Sequence, residues 1–273
     1  MKALIDADIL RYECGWASAA SYKYASETDD QAPYDWADNI LNQRIDTILK
    51  QTGSDDYVLY LTEGRTFRYD IAVTSPYKGS RKSSKPWHYK NLTAVMTTAH
   101  PNKVITYIEA DDALAIDHME DVENTIICSR DKDLRQVPGN IYSWELGLQP
   151  SFGPFFSTDV LGWLKLSADG RSIRGRGYVF FCAQMIMGDS VDNIPGVRGK
   201  GAGKAFKLLS PILADDDIED KEEAMWQAVE TLYEEVYGEE WEIILNEMAQ
   251  LLWIVRRLNE DGSPQLWEKG LIS

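Results

Sequence analysis

The chain has 273 residues, 44% of them hydrophobic, and carries a formal net charge of −16, enough apolar content for one large core or two smaller ones. No apolar run reaches the roughly 18 residues a membrane span needs, and the first one, Ala3-Leu4-Ile5, stops at Asp6 and Asp8 and so does not read as a secretory signal. Cys14, Cys128 and Cys182 form no CxxC pair, and His88, His100 and His118 no HxxxH or HExxH spacing, which argues against a disulfide framework or zinc site and for a cytoplasmic, thiol-reduced setting.

In chain order, short apolar runs at Lys2–Ile5, Tyr57–Leu61, Lys103–Tyr107, Thr125–Cys128 and Asn140–Ser143 read as strands. Helical patterns fall between them at Trp36–Leu49, Lys90–Ala99 and Asp112–Met119. This alternation predicts an α/β fold, a twisted, mostly parallel sheet flanked by helices. Thr74–Trp87, rich in Ser, Lys, Pro and Gly, reads as an exposed insertion. Pro150–Arg176 reads as a bridge with one amphipathic piece around Asp159–Leu166. Beyond it, Tyr178–Met187, Gly203–Leu209, Lys221–Tyr237 and Glu239–Leu258 read as helices. The expected domains are 1–176, an α/β core with a special segment at about 74–100, and 177–273, a helical part.

Parallel sheets bind ligands at the carboxyl ends of their strands. Asp6, Glu63, Glu109 and Asp131 follow the first four predicted strands. With Asp111, Asp112, Asp133, Asp189 and Asp192 they form acidic clusters that repel one another unless a cation joins them. Magnesium and manganese prefer such oxygen donors, and two ions roughly 4 Å apart clamp the attacking and leaving oxygens of a phosphodiester.

Each cluster also has a plainer reading. Asp6 suits a turn, Asp8 a helix cap, one acid of Glu109-Ala110-Asp111-Asp112 an N-cap and another the helix dipole, and Asp131-Lys132-Asp133 a solvated turn. The case for a metal site rests on their conjunction.

The net charge argues against a nucleic-acid partner, since such binding rests on Lys and Arg meeting phosphates, but the distribution reverses that. Between Arg65 and Lys90, seven basic residues (Arg65, Arg68, Lys78, Arg81, Lys82, Lys85, Lys90) face only Asp70. A second basic set runs through Lys165, Arg171, Arg174, Arg176, Arg198, Lys200, Lys204 and Lys207, while much of the acid falls in Asp215–Glu247 and reads as a solvated helical face. The run Gly188-Asp189 to Gly203-Lys204 sets two acids beside glycines whose backbone N–H groups can approach phosphate. Its spacing is wrong for a P-loop, and Ala205 stands where that motif needs Ser or Thr.

The motifs resemble the 5′-nuclease family of flap endonucleases and bacterial polymerase 5′→3′ exonuclease domains, most of all the exonucleases of short-tailed phages. The matching segments are Leu4-Ile5-Asp6, Leu61-Thr62-Glu63 with Thr66-Phe67-Arg68, Tyr77-Lys78-Gly79-Ser80-Arg81, Glu109 to Ala115, Ser129 to Leu134, and Gly188 to Lys204 with its Asp-Asn-Ile-Pro-Gly-Val core. Glu63 departs from the family's usual Asp, and the arch segment is short.

The resemblance implies two Mg2+ ions, replaceable by Mn2+. Asp6, Glu63, Glu109, Asp111 and Asp112 surround the first, Asp131 lies near both, and Asp133, Asp189 and Asp192 serve the second. It implies that Lys78 and Arg81, at the base of an arch, act on the scissile phosphate. Tyr12 is a candidate for stacking on the terminal base, with core packing as its plainer role. Arg68 and a helix–three-turn–helix element at about 183–210, through Gly196, Val197, Gly199, Lys200, Gly201 and Lys204, contact duplex DNA, with K+ at the loop.

The expected activity is 5′→3′ exonuclease action at duplex ends, nicks and gaps by a monomer, extending to RNA in hybrids and, secondarily, to flaps. Competing readings are a flap endonuclease, a non-catalytic duplex DNA-binding protein, and a phosphatase using Asp6 as nucleophile and Asp8 as acid. The last leaves the glycine loop and basic insertion unexplained.

Overall fold

The computed structural model describes residues 1–22, 32–80, 84–86, 88–157 and 159–270. In chain order its elements begin β1 (Lys2–Asp6), α1 (Ala7–Tyr22), α2 (Ala32–Thr52), β2 (Asp56–Thr66), α3 (Arg68–Ile71), α4 (Tyr89–Ala99), β3 (Asn102–Tyr107), α5 (Ala110–Glu120) and β4 (Thr125–Cys128). They continue β5 (Ile141–Ser143), β6 (Phe152–Phe155), β7 (Trp163–Leu166), β8 (Ile173–Arg176), α6 (Tyr178–Met187), α7 (Ala202–Ala214), α8 (Lys221–Tyr237) and α9 (Trp241–Leu252). The chain packs as two compact units. One comprises Met1–Arg65, Lys82–Lys132 and Gly139–Ser157, the other Thr66–Arg81, Asp133–Pro138 and Thr158–Ser273. Among the described residues no helix is long and apolar enough to cross a membrane.

The first unit is built on a six-stranded sheet in the order β3-β2-β1-β4-β5-β6. β1 pairs in parallel with β2 and β4, β4 in parallel with β5, and β5 antiparallel with β6. β1 is central and buried from Ala3 to Asp6, which is why it reads as an unbroken apolar run instead of an alternating one. Ala3, Ile5, Leu10, Cys14, Leu41, Leu59, Leu92, Met96, Ile126 and Trp144 form the core. Each large aliphatic buried there contributes about 2 kcal/mol. Trp144 fits because its indole N–H donates to Glu13 at 2.6 Å, and Glu13 in turn pairs with Arg44.

The second unit is organised around α6, whose residues Tyr178 to Ile186 are all buried, as a helix apolar on every face must be. Phe181 lies parallel to Trp226 at 6.2 Å, and Trp226 meets Trp267 at 4.2 Å. Residues 66–81 and 133–138, inside the expected first domain, pack here. Gln136 donates to the Leu252 carbonyl at 2.8 Å and accepts the Ile254 N–H at 3.1 Å.

Three local expectations change. The piece around Asp159–Leu166 ends in β7, which forms an antiparallel hairpin with β8. The helix expected over Glu239–Leu258 stops at Leu252, because Trp253 turns to extended backbone (φ −70°, ψ 127°). β2 runs to Thr66, while its pairing with β1 covers only Asp56–Tyr60, so Glu63 sits inside the strand instead of after it.

Candidate metal centre and nucleic-acid interface

In the first unit, β1 delivers Asp6 as its last residue and α1 begins at once. Asp6 is 1% exposed. It accepts the Ser129 hydroxyl at 2.7 Å and the Ile9 N–H at 3.2 Å, and Ser129 Oγ itself accepts the Asp131 N–H at 2.9 Å. One serine thus ties the ends of β1 and β4 together. Burial and then the Asp8 carboxylate push Asp6 up to about 7, and Asp131 adds to the rise. Ser129 and the Ile9 N–H pull the other way.

Asp8 is also raised by burial, offset by Arg11 at 2.5 Å and by the Thr62 N–H at 3.1 Å, with Glu109 raising it further. Asp8 therefore holds α1 to β2. Glu109 and Asp112 form a capping box on α5, the Glu109 N–H donating to Asp112 at 3.0 Å. The Thr62 hydroxyl accepts the Ala110 N–H at 2.8 Å. Asp112 is buried, while Asp111 and Glu109 are half-buried and Glu63 exposed. Both readings of this acidic run meet here, since the capping residues belong to the same carboxylate set. Tyr12, half-buried, packs edge-on against Tyr89 at 5.0 Å.

The donor chemistry fits a hard divalent cation. Asp6, Asp8, Asp131 and Glu109 act on one another electrostatically, and their oxygens are the kind magnesium prefers. The cage is not closed: among the described residues no three His, Cys, Asp or Glu side chains stand close enough together to hold a metal ion.

In the second unit, Asp133 accepts the Gln184 amide at 2.5 Å. Asp189, 4% exposed, exchanges two backbone bonds with Ile194 (2.8 and 2.7 Å) and accepts the Val191 N–H at 2.8 Å. This closes a tight turn after α6. Gly188 (φ +69°) and Gly196 (φ +60°) pack backbone to backbone, and a Cβ on Gly196 would sit 2.3 Å from the Gly188 nitrogen. Asp192 accepts the Tyr77 hydroxyl at 3.0 Å and stands 3.9 Å from the Lys78 ammonium. Arg81 lies outside the described residues.

Three expected DNA contacts need correction. Arg68 is 2% exposed and bonds the Leu251 and Trp253 carbonyls at 3.2 and 2.7 Å; it caps the end of α9 and is not available to phosphate. Val197 is buried and gives its N–H to Ile186 at 3.0 Å. Gly196 is buried by the close approach to Gly188. Gly199, Gly201 and Lys204 remain exposed and Lys200 half-buried.

No family model matches the chain, and no curated protein matches it. Solved structures do. T5 5′-exonuclease with bound zinc aligns at a TM-score of 0.50 and 15% identity, over 93% of this chain and 100% of that one. The chain shares its fold with that enzyme. The T5 D15 protein co-crystallised with metal ions aligns at 0.49 and 14% identity, over 92% of this chain and 99% of that one. The Rad2 catalytic core in complex with DNA substrate aligns at 0.46 and 12%, over 98% and 82%.

Within this fold, Ser129 and Thr62 do structural work at the carboxylates that their place in the sequence only hinted at, each lying beside an acid of a recognised motif. Tyr237 and Glu247 had no such signal. Tyr237 bonds the glycine loop through its hydroxyl, and Glu247 accepts the N–H groups of Val73 and Thr74, both at 2.7 Å.

Proposed function

We propose that this chain is a metal-dependent 5′-nuclease that removes nucleotides 5′→3′ from ends, nicks and gaps of duplex DNA. The observation that carries the reading is the Asp6–Ser129–Asp131 chain. It holds two carboxylates at the carboxyl ends of adjacent parallel strands, one of them, Asp6, buried without a cationic partner among the described residues. Magnesium held by Asp6, Glu63, Glu109, Asp111, Asp112 and Asp131, and a second ion held by Asp133, Asp189 and Asp192, would supply a hydroxide nucleophile and neutralise the leaving oxygen.

The rest falls to the chain's own groups. Ser129 keeps Asp6 and Asp131 in register. Lys78 and Arg81 neutralise charge developing on the scissile phosphate, with Asp192 aiming Lys78. Gly199, Lys200, Gly201 and Lys204 grip phosphates along the duplex without reading bases. Flap cutting and removal of RNA from hybrids are secondary activities of the same site, and the protein acts as a monomer.

Asp131→Ala and Asp189→Ala test the reading. Each should abolish magnesium-dependent hydrolysis and leave duplex binding intact or tighter. Near-normal turnover by either at saturating magnesium would sink it.

A further inference from the structure

The glycine loop of the second unit has an unusual support. Gly199 (φ +72°) and Gly201 have no heavy atom within 4 Å of where a Cβ would sit. Their N–H groups make no hydrogen bond among the described residues. The exposed half of the loop is therefore held by its neighbours. One of those is a single oxygen: the hydroxyl of Tyr237, the last residue of α8, donates to the Gly196 carbonyl at 2.7 Å and accepts the Arg198 N–H at 3.0 Å. A hydroxyl carries both a donor and an acceptor, so one side chain fixes the two peptides flanking Val197. The Arg198 guanidinium also lies 5.7 Å from the centroid of the same ring. One turn earlier, Tyr233 donates to the Met185 carbonyl of α6 at 2.7 Å, but Tyr233 is wholly buried, whereas Tyr237 is only half-buried.

We infer that Tyr237 is a positioning residue for the duplex grip. Its hydroxyl holds the Gly196–Arg198 peptides so that the next N–H groups, at Gly199 and Gly201, stay free for phosphate, and its ring keeps Arg198 beside them. The inference rests on the 5′-nuclease reading of this chain. Preorganised donors bind better because the ordering cost is met before the ligand arrives, so loss of the hydroxyl should appear in affinity.

The experiment uses the full chain and a blunt duplex of about two helical turns. Binding is measured by anisotropy at several salt concentrations without divalent metal, and cleavage by single-turnover kinetics with magnesium. Tyr237→Phe removes one oxygen and keeps the ring. The expected result is roughly a tenfold rise in Kd, with the loss confined to binding and overcome at saturating DNA. The loss should persist on an Arg198→Ala background, because alanine keeps the Arg198 N–H that the hydroxyl accepts. Thermal melting of each variant gives the folded fraction. A Tyr237→Phe protein that binds duplex as tightly as the parent per folded molecule, whether or not it melts early, would overturn the inference. If the parent chain itself fails to bind duplex, the nuclease reading fails and takes this inference with it.

Discussion

Lys78 and Asp192 meet twice. The Lys78 N–H donates to the Asp192 carbonyl at 2.9 Å, and its ammonium stands 3.9 Å from the same residue's carboxylate. Lys78 holds a left-handed backbone (φ +54°), a conformation a non-glycine residue adopts at a cost and which persists where neighbours over-determine it. The Asn193 amide adds a bond to the Pro76 carbonyl at 2.9 Å, and the Tyr77 hydroxyl reaches Asp192 at 3.0 Å. The lysine singled out for phosphate chemistry is thus held by a residue that the resemblance marked as a metal ligand.

Asp192→Asn keeps the carbonyl that anchors Lys78 and removes the charge that orients it. Single-turnover cleavage should fall about tenfold, or about 1.4 kcal/mol of transition-state stabilisation. Lys78→Ala should cost as much or more, and the double variant little beyond Lys78→Ala alone. Independent, additive losses in that cycle would place Asp192 elsewhere in the chemistry.

Glu63→Ala should do less harm than Asp131→Ala. Glu63 is exposed and lies inside β2, beyond the residues that pair with β1, whereas Asp131 is tied to Asp6 through Ser129. The magnesium dependence of initial rates for the two variants makes the comparison, and equal loss of activity would contradict this ranking.

Arg68→Met should unfold the second unit more readily without weakening DNA binding by the folded protein. It strips the Leu251 and Trp253 carbonyls of a buried charged donor, a loss of about 3 kcal/mol. Urea unfolding reads the stability change. A variant as stable as the parent but weaker on duplex would restore Arg68 to the DNA-contacting set.

His100 gives a stability term with a definite sign. Burial holds its pKa below the ordinary value, with Asp38 opposing, and its Nδ1 meets the Tyr57 hydroxyl at 2.8 Å. The folded state therefore binds fewer protons than the unfolded chain near pH 6.5, so this contribution is fully present above that pH and is lost as pH falls through it. His100→Gln should lose less of its melting temperature between pH 7.5 and 5.5 than the parent does. An unchanged pH slope would refute it.

Much of this was legible in the sequence. Thr125–Cys128, Tyr178–Met187 and Lys221–Tyr237 have the expected bounds, because each is a continuous apolar run or a strongly periodic helix with its boundary residues in place. The acids fall at or just behind the ends of their strands for the same local reason, Asp6 closing β1 and Glu109 and Asp131 following β3 and β4. What the sequence hid depends on partners far away in the chain. Arg68 looks like one more base in a basic segment until the α9 carbonyls, some 180 residues on, claim it. The Glu239–Leu258 periodicity outlasts its helix, since the chain turns extended at Trp253. Gly196 and Val197 belong to a recognisable loop motif, yet packing against Gly188 and Ile186 decides that they are buried.

The most direct measurement uses duplex DNA labelled at both ends of each strand, with one 5′ terminus blocked, digested with and without magnesium. Metal-dependent release of mono- or short oligonucleotides from the free 5′ end, none from the blocked end and none after chelation, is the expected result. Degradation from 3′ ends, cutting that persists without divalent metal, or a strong preference for single strands lacking any duplex would contradict it.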